Sequence, residues 1–153
     1  GLQATRRFLE ECRKAPLTVF AVEKPFTLII GQHSIKGQID RIDRLPDGTL
    51  RVLDYKTGQS KDELVAEEKE QLHLYQLALE GQGHKVSSMA YIYVNDWKIT
   101  EVEPLTEKKR EAFLVKLEER MNQILLSDFA PTPEPFTCKY CDFKNICEFR
   151  KLT

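Results

Sequence analysis

Between two strand-like runs the chain reads Leu45-Pro46-Asp47-Gly48-Thr49, a turn that leaves few folds open. Proline presets φ at the first corner of a type I turn and glycine supplies the left-handed position that follows, so the pattern predicts a three-residue β-hairpin loop. Such a loop fixes the register of both strands: Leu45 faces Thr49 and, counting outward, Asp40 faces Asp54. Side chains alternate across a strand. Gln38, Asp40, Ile42 and Arg44 therefore share one face with Leu50, Val52, Asp54 and Lys56. A two-residue loop would slip the pairing by one and put the aspartates on opposite faces.

Two carboxylates side by side over apolar Ile42, Leu50 and Val52 repel each other and lose hydration unless a cation lies between them. Mg²⁺ or Mn²⁺, ions that prefer oxygen ligands, suit such a pair. Lys56, two residues beyond Asp54 on the same face, is placed to orient a water nucleophile or to offset charge on a phosphoryl group. Asp40, Asp54 and Lys56 are thus the expected catalytic residues of a metal-dependent phosphodiester hydrolase. A solvated hairpin with ordinary salt bridges is the plainer reading. It is disfavoured because Asp54 and Lys56 follow the parity of the apolar residues.

Elsewhere the pattern predicts helices and strands in α/β order. Residues 5–13 read as a helix with Phe8 and Leu9 inward, and 17–23 and 26–30 as strands divided by Lys24-Pro25. Val52-Leu53-Asp54-Tyr55 is mostly apolar on both faces, which puts the second hairpin strand at the sheet centre. Ser60 is the expected N-cap of the next helix, with Glu63 as its capping-box partner and Gly81-Gln82-Gly83 as its end. Gln71 and Tyr75, four apart, fall on one stripe of that helix beside Leu64, Leu72 and Leu79. Residues 86–94 predict an apolar strand, 97–104 an edge strand and 107–126 a long amphipathic helix. Glu23 is either a supporting acid or a surface residue.

With 153 residues, 41% hydrophobic and 31% charged, the chain suits one compact soluble domain: a core over 1–130 and a cysteine-containing tail over 131–153 packed on it. It has no apolar run of transmembrane length and no secretory signal. A net charge of −1 gives no global pull toward nucleic acid, so affinity must come from local patches and from metal in the acidic site. The start at Gly1, without methionine, points to a processed or excised fragment.

The tail holds Cys138, Cys141 and Cys147 at metal-ligand spacing. Three thiols leave one unpaired in any disulfide scheme, which fits a reducing cytoplasm. Zinc and iron–sulfur sites both ask for four ligands, and Cys12 is the only other thiol.

Taken in order, Gly37-x-x-Asp40-Arg41-x-Asp43, Asp54-Tyr55-Lys56-Thr57-Gly58 and Gln71-x-x-x-Tyr75 resemble the RecB-type branch of the PD-(D/E)XK nuclease superfamily. The resemblance runs from about Glu23 to Arg150, and residues 17–26 are similar to the nuclease domain appended to UvrD-like or AddB-like helicases. It implies a restriction-endonuclease-like α/β (α+β) core, a central mixed β-sheet flanked by helices. It also implies that Asp40, Asp54 and the Tyr55 carbonyl ligate the metal, that Lys56 is catalytic, and that Gln71 and Tyr75 shape the site and contact DNA. Cys138, Cys141 and Cys147 resemble the last three ligands of a structural 4Fe-4S cluster whose first cysteine lies upstream. The implied partners are DNA and a helicase, in cis or as a separate subunit, in a prokaryotic cytoplasm and with no membrane.

Two departures from the family pattern stand out. Cys12 precedes Arg-Lys-Ala-Pro rather than a proline, which puts the expected fourth ligand before Gly1. None of His33, His73 and His84 takes the place of the histidine that RecB-type sites add from an N-terminal helix. Both point to an N-terminally truncated domain of low activity. The leading expectation is a DNase in repair or recombination end processing. A CRISPR-associated RecB-like exonuclease would need Cys12 in its cluster; a non-catalytic DNA-end-binding or helicase-docking module has no need to bury two acids. A zinc adaptor leaves the hairpin unexplained.

Overall fold

A computed structural model describes residues 2–14 and 18–151, and in it the central turn closes as the sequence predicts. Leu45 N–H donates to the Thr49 carbonyl and Gly48 N–H to the Leu45 carbonyl, both at 2.9 Å. Gly48 takes φ +82°, the left-handed value the loop requires. The Asp47 carboxylate accepts from the Thr49 backbone N–H and hydroxyl, which lowers its pKa and ties the loop to the second strand.

Around this turn the chain runs α1 (Leu2–Lys14), β1 (Thr18–Ile30), β2 (His33–Arg44), β3 (Leu50–Lys56), α2 (Ala66–Glu80), β4 (Val86–Tyr93), β5 (Lys98–Val102), α3 (Glu107–Leu126) and α4 (Pro135–Tyr140). The strands form one sheet in sequence order, antiparallel except for β3 against β4. The parallel pair needs a crossover, and α2 supplies it. The fold is therefore α+β, a five-stranded mixed sheet flanked by helices, with β3 at its centre as expected.

Both faces of β3 are buried. Ile42, Leu50 and Val52 join Leu72, Tyr75 and Leu79 of α2 in the main core. On the opposite face Leu53 packs with Ala90 and Ile92, and Tyr55 and Trp97 lie against them. Phe8 of α1 meets Tyr55 and Trp97 edge-on, with ring centroids at 6.1 and 5.7 Å.

Three local expectations change. The two first strands are one, β1, because Pro25 lies on an edge strand where its missing N–H costs no interior ladder bond. Glu23 takes φ +46° and its carbonyl accepts from Gln38 Nε2 at 2.9 Å; its side chain is exposed. Leu17 lies outside the described residues. Leu9 is 49% exposed, since successive helical residues diverge and α1 leans on the sheet through Phe8. Finally, α2 begins at Ala66, not after Ser60. Ser60 bonds Asp96 instead, and the Glu68 side chain accepts from Val65 N–H at 3.1 Å while pairing with Lys61.

The described chain separates into two compact units, Gly1–Glu118 and Glu119–Thr153. The first holds the whole sheet and the second holds the end of α3 and α4, with Pro135 in the first turn of α4. Among the described residues no helix is long and apolar enough to cross a membrane.

Candidate active site

The hairpin pairs Arg41 with Leu53, Ile42 with Val52, Asp43 with Arg51 and Arg44 with Leu50. The ladder ends at Arg41 and Leu53, and Asp40 and Asp54 are the next residues on the two strands. Asp40 Oδ2 accepts from Tyr55 N–H at 3.0 Å, which fastens the first acid to the strand of the second. Asp54 is 2% exposed, in the apolar setting that the parity argument expected.

From Asp54 a hydrogen-bonded circuit runs through β3 and α2. The Lys56 ammonium lies 2.6 Å from Asp54 Oδ2 and donates to Gln71 Oε1 at 2.8 Å. Gln71 Nε2 donates to the Tyr75 hydroxyl at 2.7 Å, and that hydroxyl points back to Asp54 Oδ1 at 3.5 Å. The four-residue spacing of Gln71 and Tyr75 is what lets one helix face complete it. All five expected site residues with side-chain roles, Asp40, Asp54, Lys56, Gln71 and Tyr75, thus converge.

Two residues support the circuit in ways the sequence concealed. Tyr91 is paired with Asp54 across the β3–β4 ladder. Its ring lies under the Lys56 ammonium at 4.8 Å, and its hydroxyl donates to the Glu68 carbonyl at 2.5 Å. In sequence Tyr91 is one aromatic in an apolar run, and only the parallel pairing brings it to the site. Gly37 opens the first motif for a steric reason. A Cβ there would stand 2.7 Å from the Phe26 ring, which backs Tyr75 edge-on at 5.6 Å.

Burial is the largest influence on Asp54 and raises its pKa; Lys56 opposes the rise, and Asp40 adds like charge. Burial likewise pushes the Tyr75 hydroxyl up to about 12, so it remains a donor at neutral pH. Asp54 Oδ2 is buried and faces the Lys56 ammonium at 2.6 Å. Such an oxygen suits a cation.

The opposite face carries a second ion pair. Arg41 Nε donates to Asp43 Oδ1 at 2.8 Å and Arg41 Nη1 to the Tyr55 hydroxyl at 3.2 Å. Both residues are buried.

Neither His73 nor His84 enters the circuit. His73 bonds the Glu103 carbonyl at 3.2 Å and packs on Phe113, while His84 packs on Phe20. In the second unit Cys138 is buried and Cys141 and Cys147 are half-buried, all as free thiols. The Cys12 side chain lies outside the described residues. Among the described residues no group of three or more His, Cys, Asp or Glu side chains is placed to hold one ion.

A family model of the PD-(D/E)XK nuclease superfamily matches residues 2–148. The chain belongs to that superfamily. It is 30% identical over 142 residues to the gene 69 protein of Mycobacterium phage L5, covering 89% of this chain and 47% of that protein. Against the gene 69 protein of Mycobacterium phage D29 the identity is 33% over 135 residues, covering 83% and 47%. The chain thus spans about half the length of these curated relatives. A shorter match, 42% over 50 residues, is to a subunit of the ATP-dependent helicase/deoxyribonuclease of Streptococcus mutans, covering 32% of this chain and 5% of that protein. Among solved structures, SSO0001 is similar at TM-score 0.53 and 28% identity over 95% of this chain and 68% of that one. A candidate exonuclease from Eubacterium rectale shares the fold at TM-score 0.59 and 14% identity, over 99% and 61%.

Proposed function

We propose that this PD-(D/E)XK domain is a divalent-metal-dependent deoxyribonuclease that processes DNA ends in repair or recombination, together with a helicase. One observation carries the reading: Asp40, Asp54, Lys56, Gln71 and Tyr75 meet in one network around the buried Asp54 carboxylate. The short match to a helicase/deoxyribonuclease protein supports the helicase association.

Asp40, Asp54 and the Tyr55 carbonyl would hold Mg²⁺ or Mn²⁺. Two carboxylates are enough for an ion that keeps several waters. Bound there, it would supply charge stabilisation at the phosphoryl oxygens. The chain's own residues do the rest. Gln71 accepts from Lys56 and donates to Tyr75, and so holds the Lys56 rotamer. Lys56 then presents a protonated amine at the place where negative charge grows. Tyr75, still protonated, keeps Gln71 from turning over. A 4Fe-4S cluster on Cys138, Cys141 and Cys147 would need a fourth thiolate, and no step here depends on it.

Calorimetric Mn²⁺ titration of the chain beside Asp40→Ala and Asp54→Ala, with cleavage of linear DNA followed on the same samples, tests the reading. Either substitution is expected to remove binding and cleavage together. Undiminished cleavage by Asp54→Ala would sink the mechanism.

A further inference from the structure

Next to Lys56 and Gln71 lies a cleft of about 520 Å³, between the segment after β3 and the first turns of α2. Pockets of roughly 300–1,000 Å³ typically enclose one small molecule. Its walls combine Leu64, Tyr91 and Tyr93 with the exposed Gln59 and Glu67. The charge of this lining decides what it takes. Its lysines are already engaged, Lys56 by Asp54 and Lys61 by Glu68, whereas Glu67 stands at the rim as a further negative charge. A phosphate placed in the cleft would meet Glu67 and Glu68, with Asp54 behind Lys56. A neutral, flat group with N–H donors would instead lie on the apolar wall and give its donors to Glu67, as exocyclic amines and ring N–H groups of bases do to carboxylates.

We infer that this cleft is a base-binding subsite: it receives one unstacked nucleobase next to the scissile phosphate, so the substrate is a single strand or a frayed end. The inference rests on the nuclease reading above. The geometry separates the two halves of a nucleotide. The phosphate stays outside this acidic lining, on the Asp40–Asp54 side of Lys56, and the base enters between the loop and α2. A base reaches such a cleft only by leaving the helical stack, a cost that is least for a strand already unpaired.

The test is an abasic scan. Single-stranded oligodeoxynucleotides carrying one abasic residue at successive positions are compared with the unmodified strand and with its blunt duplex. Single-turnover cleavage is measured with Mn²⁺, and fluorescence anisotropy with Ca²⁺, for the wild-type chain and Glu67→Ala. The wild type should cut the single strand faster than the duplex. One abasic position should lower both affinity and cleavage of the adjoining bond on the order of 10-fold or more, the size of a lost base contact. Glu67→Ala should weaken the unmodified strand and leave that abasic strand unchanged. A flat scan, or a Glu67→Ala effect equal on both strands, overturns the subsite. Loss of all cleavage with the anisotropy pattern intact would refute the nuclease reading and keep the subsite, whereas cleavage with a flat scan would do the reverse.

Discussion

Each face of the β2–β3 hairpin buries an aspartate beside a cation, and the two pairs are built for different ends. Toward α2, Asp54 is held by Lys56, whose side chain is 35% exposed and borders the cleft. On the other face, Asp43 is held by Arg41, whose side chain is only 9% exposed and whose second contact is the Tyr55 hydroxyl. Burial works against the Arg41 charge, but the bonds to Asp43 and Tyr55 outweigh it and hold the guanidinium above its ordinary pKa. Both acids are buried, Asp43 at 1% and Asp54 at 2% exposure, so burial does not by itself mark a working acid. The partner does. A lysine is a flexible point charge that can release its acid to a ligand, whereas an arginine fork commits it.

The largest consequence concerns chemistry. Asp54→Ala should lower Mn²⁺-dependent cleavage on the order of 10³-fold while far-ultraviolet circular dichroism stays native. Full activity in Asp54→Ala would remove the functional distinction between the two faces.

Stability should divide the other way. Arg41→Met leaves Asp43 buried without its counter-charge, which costs about 3–5 kcal/mol, while Arg41→Met with Asp43→Leu should recover most of the loss. Lys56→Met also leaves a buried acid without its counter-charge, but Asp54, already held above its ordinary pKa by burial, can take up a proton, so this substitution should cost less than Arg41→Met. Urea unfolding measures all three. Equal costs for Arg41→Met and Lys56→Met would mean that both pairs are structural.

Gly37→Ala joins packing to the front face. The added methyl group meets the Phe26 ring, so either the ring or the strand must shift, at about 1–3 kcal/mol. Because Phe26 backs Tyr75, cleavage should fall with stability. A stable Gly37→Ala chain with normal activity would show that the ring moves freely.

The front face was legible because the turn fixes register and register fixes which side chains meet: Asp40, Asp54 and Lys56 follow from Pro46 and Gly48 alone. Helical spacing put Gln71 and Tyr75 on one stripe, and their place at the site came from the family resemblance. The back face was not legible, since Arg41 and Asp43 have the look of solvated hairpin residues until Tyr55, with Phe8 of α1 against its ring, is known to lie beside them. Tyr91 was hidden for a related reason: parallel pairing through a crossover leaves no local trace of register. The start of α2 was misplaced because Ser60 and Glu63 satisfy the capping pattern, while Ser60 bonds Asp96 and Glu68 caps Val65.

The smallest effect concerns pH in metal-free buffer. Burial holds the Asp54 pKa above its ordinary value, so the folded state binds this proton more tightly than the unfolded chain does. That contribution is fully present below the ordinary carboxylate range and is lost as pH rises through the raised native value. At pH 7 the ionised carboxylate therefore weakens the fold, and Asp54→Asn should raise the melting temperature by a few degrees. The gain should shrink as pH falls through that raised value and the wild-type carboxyl takes up its own proton. Asp43→Asn should do the opposite at pH 7, because the buried Arg41 loses the charge that holds it. If both substitutions stabilise, the back pair is no more committed than the front one; if both destabilise, Lys56 holds Asp54 as firmly as Arg41 holds Asp43.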